Sequence, residues 1–258
     1  MFDTHAVGNS FAVVAMLAAA GWVLSLFRRD ASVVDPLWSL FFLSAVVTYR
    51  QLHPTYARGD LVLWLVTLWA LRLAGYLAWR NWGEPEDRRY RRIRERNEPG
   101  FWWKSLYLVF GLQALLAAVL SLPLLWASGS RGELGWLDAL GTLLWLAGFI
   151  FESVADLQLA RFLGARRGAA VLDRGLWRYT RHPNYFGEAL LWWGYFLLAA
   201  AAGGWWTVVA PLLMTFLLLR VSGVSLLEAD IAERRPEYRL YRARTSPFFP
   251  WPPRRDPA

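Results

Sequence analysis

The chain has 258 residues, 56% of them hydrophobic, with 17 tryptophans, no cysteine and a formal charge of +8. This composition excludes a disordered chain, disulfides and thiolate chemistry, and three histidines without cysteine argue against a zinc site. The apolar residues come in blocks of roughly 20, the length a helix needs to cross a bilayer core of about 30 Å, so an all-α, polytopic membrane protein is expected.

Seven spans are predicted, near 9–27, 33–49, 61–80, 104–127, 136–157, 187–202 and 204–221, followed by a cytoplasmic tail over 222–258. The last two spans are short and separated by Gly203 and Gly204, which leaves a tight hairpin, a partly re-entrant pair or a total of six spans open. The first span has no basic segment before it and no cleavage site, so it is not read as a signal peptide. Arginines concentrate in the loops after spans one, three and five, whereas the opposite loops hold only Arg50, Arg58 and Arg131. By the positive-inside rule the N-terminus lies outside and the C-terminus inside. Those arginines suit short membrane-proximal loops and anionic lipid rather than a nucleic acid.

Ionisable residues within or beside the spans are the candidate functional groups, because each is costly in hydrocarbon unless it pairs, faces a cavity or acts. Asp35 precedes Pro36 at the start of span two, where it reads equally as a helix N-cap. Arg72 and Tyr76 lie one turn apart in span three. Gln113 in span four also reads as a bond to a neighbouring helix. Glu152 and Asp156 share a face of span five, with pairing to Arg161 as the plainer explanation.

The stretch LWRYTRHPNYFGE at 176–188 gathers Tyr179, Arg181, His182, Asn184 and Glu188 at the mouth of span six. Asn184 and Glu188 are four residues apart in the first turns of a helix, whose amides favour an anion. A small molecule bearing phosphate or carboxylate fits that mixture. In the tail, LLEADIAERRPEYRLYRARTSPFFPWPP adds Glu228, Tyr238, Arg239, Tyr241 and Arg242, which suit a planar base and phosphates or, alternatively, a lipid surface. Soluble cofactor motifs such as GxGxxG, a P-loop or HExxH do not occur.

LDRGLWRYTRHPNYFGE, the later LLEADIAERRPEYRLYRARTSPFFP, EDRRY at 86–90 and FWWKSLYLVFGLQALL at 101–116 together resemble the bacterial, DUF1295-type branch of the steroid 5-alpha-reductase-like membrane proteins. The resemblance implies a seven-helix bundle in the bacterial inner membrane that holds NADPH at its cytoplasmic side and reduces an activated C=C bond of a lipophilic ketone. It implies cofactor contacts from Arg72, Asn81, Glu152, Asp156, Arg161, Tyr179, Arg181, His182, Asn184, Glu188, Arg220, Tyr238, Arg239 and Tyr241. Glu152 stands where the steroid enzymes have asparagine. Asp35 matches their catalytic carboxyl on the second helix, expected here as a protonated donor. Trp69 occupies the position of their catalytic tyrosine, which makes Tyr76 the substitute. RYTRHPNY is also similar to the isoprenylcysteine and phospholipid methyltransferases, which implies S-adenosylmethionine as the alternative. A non-enzymatic membrane protein is the third reading.

Overall fold

The computed structural model describes residues 3–52, 54, 56–165, 171–221 and 237–254, so the tail's LLEADIAERRP, Glu228 included, lies outside the described residues. Among the described residues the chain is helical, with one isolated parallel bridge between Thr180 and Ser246. Five helices are long and apolar enough to cross a bilayer: α1 (Thr4–Arg28), α2 (Val34–Leu52), α3 (Ala57–Asn81), α5 (Phe101–Leu120) and α7 (Trp136–Ala165). That is the make-up of a multi-pass membrane protein. The remaining helices are α4 (Arg88–Asn97), α6 (Leu122–Ser128), α8 (Pro183–Ala201), α9 (Trp205–Arg220) and α10 (Glu237–Arg244).

The predicted fourth span is the one that the structure divides. α5 gives way to α6 at Ser121 and Leu122, next to Pro123, which has no N–H to continue the ladder. α5 also carries a π-turn over Leu106–Gly111. α7 runs to Ala165, eight residues beyond the predicted end at 157, because a helix need not stop where hydropathy falls.

The chain forms two compact units. The first holds Met1–Gly135 with Leu198–Thr207, and the second Trp136–Leu197 with Val208–Ala258. In the first, α1, α2 and α3 pack in sequence order. Trp69 is fully buried and its ring lies 5.7 Å from Phe42, while the Ser39 hydroxyl donates to the Ala70 carbonyl at 2.9 Å. In the second, Trp145 stacks on Phe149 at 5.0 Å and meets Tyr195 at 6.3 Å, so aromatic rings fill the space between α7 and α8.

Candidate functional site

In the second unit, glycines let α7 and α8 approach until their backbones touch. A Cβ on Gly148 would come within 2.6 Å of the Gly187 carbonyl oxygen, and one on Gly194 within 2.7 Å of the Gly141 carbonyl oxygen. At Gly187 it would lie 2.5 Å from the Glu152 nitrogen. Small residues along such a seam bring membrane helices close. Here they set the first turns of α8 against the Glu152–Asp156 turn of α7. Asn184 Nδ2 donates to Asp156 Oδ1 at 3.3 Å. Glu152, Asp156 and Glu188 are all buried, so three carboxyl groups and an amide sit where the helices meet.

The other polar residues of 176–188 hold the C-terminal segment. Arg181 Nη1 donates to the carbonyls of Arg242 (2.9 Å) and Thr245 (2.6 Å), and the Thr180 hydroxyl donates to the Phe248 carbonyl at 2.8 Å. The Arg181 amide donates to Ser246, the Trp251 amide to Tyr179, and the Tyr241 hydroxyl to the Trp177 carbonyl. Tyr238 packs edge-on to Tyr241, and His182 stacks on Tyr185 with ring centroids 5.4 Å apart. Arg181, His182, Tyr238 and Tyr241 are therefore buried, whereas Tyr179, Arg161, Arg220 and Arg239 are exposed.

In the first unit, Asp35 lies inside the first turn of α2 and does not serve as its cap. Its Oδ2 accepts from Arg89 Nη2 at 2.7 Å and its Oδ1 from the Tyr90 hydroxyl at 2.6 Å. Gln113 Nε2 in turn donates to the Tyr90 oxygen at 3.2 Å, which is the neighbouring-helix bond the sequence suggested. Arg89 is also paired with Asp87 at 3.0 Å. Both Asp35 oxygens thus accept hydrogen bonds, one from Arg89 and one from Tyr90. Burial, reinforced by the Asp35 carboxylate, pushes the Tyr90 hydroxyl well above its usual range and keeps it protonated. Tyr76 instead lies beside Trp79, with the Arg80 guanidinium 5.8 Å from its ring centroid. Arg72 and Asn81 are half-buried on α3, and the Asn81 side-chain oxygen Oδ1 accepts from Arg80 Nε at 3.2 Å.

The DUF1295 family, described as a protein of unknown function, matches residues 21–245. The chain belongs to the DUF1295 family. It is 28% identical over 268 residues to the uncharacterised protein C594.04c of Schizosaccharomyces pombe, covering 89% of this chain and 75% of that one. No solved structure matches.

The sequence of this DUF1295 chain does not single out Arg89 and Tyr90, the partners of Asp35. They sit among the arginines of 88–96, which read as a topology signal. The one clue was EDRRY, where a lone tyrosine interrupts a charged run and becomes the buried residue of α4.

Proposed function

We propose that this chain is a membrane-embedded, NADPH-dependent reductase acting on the C=C bond of a lipophilic enone. In this reading α8 and α9 complete seven spans, with the N-terminus outside and the C-terminus in the cytoplasm of a bacterial cell. The observation that carries the proposal is the Asn184–Asp156 hydrogen bond within the buried Glu152, Asp156 and Glu188 group. Carboxyl and amide groups suit ribose hydroxyls and a carboxamide, and the exposed Arg161, Arg220 and Arg239 of the same unit suit phosphates. The donor set thus fits a dinucleotide.

When bound, NADPH supplies the hydride. The chain's own residues would orient it and stabilise the charge that develops on the ketone oxygen. In the first unit, Tyr90 is a neutral phenol held by Asp35 and Gln113.

The acid-rich character of the α7–α8 turn also favours a second reading, because three buried carboxyl groups suit a sulfonium cation. In that case the chain is an S-adenosylmethionine-dependent methyltransferase. Thermal stabilisation of the detergent-purified protein by each ligand separates the two. Stabilisation by NADPH that is lost in Asn184→Ala supports the reductase. Stabilisation by S-adenosylmethionine alone replaces it, and stabilisation by neither refutes both.

A further inference from the structure

The end of α1, the side of α4 and the start of α5 enclose a cleft of about 350 Å3 lined by Ser25, Arg29, Arg94, Phe101, Trp102 and Ser105. All six belong to the first unit and none takes part in the groups described above. Arg94 is fixed before any ligand arrives. Its guanidinium meets the Glu86 carboxylate through Nε (3.0 Å) and Nη2 (2.7 Å), and its Cζ lies 4.5 Å from the Phe101 ring centroid. Glu86 is held in turn by the Ala31 amide at 2.9 Å. Arg29 caps α1 with φ 52°, a left-handed position where glycine is the ordinary choice.

The groups facing this region come from every surrounding element. Arg28 and Arg29 end α1, Asp30 follows with its carboxylate on the Ser32 amide, Arg94 and Glu86 form their pair, Glu98 precedes α5 and Lys104 lies in its first turn. The Lys104 ammonium donates to the carbonyls of Asn97 and Pro99. Cations outnumber carboxylates. Leu26, Ala31, Phe101 and the strongly exposed Trp102 make the apolar part of the wall. Two arginines and two aromatic residues lining one cleft, between the end of α1 and the start of α5, match a phosphate ester attached to acyl chains.

We propose that this cleft binds the phosphate headgroup of an anionic phospholipid. The guanidinium of Arg29 is the group that recognises the charge, and Arg94 together with Phe101 forms the rigid back wall. The inference is independent of the reductase reading.

The test is lipid retention by the detergent-purified full chain in native mass spectrometry, with phosphatidylglycerol and phosphatidylcholine supplied in equal amounts. Wild type is expected to retain phosphatidylglycerol preferentially. Arg29→Gln, an exposed and fold-tolerant change, should reduce that preference about ten-fold, the scale of one charge-assisted hydrogen bond. Arg28→Gln, beside the cleft but not lining it, should reduce it far less. Equal losses in the two variants would identify diffuse surface attraction and overturn the proposal, as would equal retention of the two lipids. Inorganic phosphate at matched ionic strength should not displace phosphatidylglycerol. Displacement would make the ligand a free phosphate and refute the lipid assignment.

Discussion

The Tyr90 hydroxyl donates to the Asp35 carboxylate at 2.6 Å, joining residues 55 positions apart in the chain. This bond ties α4 to the first turn of α2 and leaves a neutral phenol beside a carboxylate whose charge Arg89 balances. Tyr90→Phe should lose about 1–2 kcal/mol of stability, because the hydrogen bond to a charged group disappears. Denaturant unfolding of the two proteins checks it, and unchanged stability would mean that the bond contributes nothing measurable.

The tether between α4 and the loop before α2 is sensitive to acid. Burial alone would raise the Glu86 carboxyl, but its hydrogen bonds from Arg94 and Ala31, with the charges of Arg94 and Arg91, outweigh burial and hold it below its ordinary value. Folding therefore favours the charged form. The stabilisation is fully present above the ordinary carboxylate pKa near 4.5 and is lost as pH falls through the lower folded value. Melting temperatures measured from pH 7 down to about 3.5 should fall less steeply in Glu86→Gln than in wild type. Parallel curves would mean that this pair contributes nothing measurable.

The glycine seam has no spare room. Gly187→Ala puts a methyl group 2.5 Å from the Glu152 nitrogen and 2.8 Å from its Cβ, so α7 and α8 must separate. A loss of about 1–3 kcal/mol in thermal or denaturant unfolding is expected, as for other overpacked sites. Under the reductase reading, weaker NADPH binding accompanies it, because the seam also sets Asn184 against Asp156. Gly75→Ala on α3 is the control, since a Cβ there meets nothing within 4 Å and should be neutral or mildly stabilising.

Long apolar blocks made the helices legible, since hydrocarbon thickness sets their length whatever their neighbours are. The block at 104–127 was read as one span because hydropathy does not register a broken ladder at Pro123. The site was legible only where its residues share a helix face or turn, as Asn184 and Glu188 do. The bonds of Arg181 and Tyr241 to backbone carbonyls 64 positions away are encoded by no local pattern. Tyr90 was missed for the same reason, its partners lying on α2 and α5.

The absence of cysteine makes orientation directly measurable, because any introduced thiol is the only one in the chain. With seven spans and the N-terminus outside, Glu84→Cys and Arg239→Cys, both exposed, should resist a membrane-impermeant maleimide in intact cells and react once the inner membrane is opened. Glu133→Cys, exposed between α6 and α7, should react before opening once the outer barrier is permeabilised. If Glu84 and Arg239 fall on opposite sides, the number of crossings between them is odd, and α8 and α9 do not both span. If all three patterns invert, the chain is inserted the other way round. The arginines of α4 would then face outward, away from the negative surface potential that favours them.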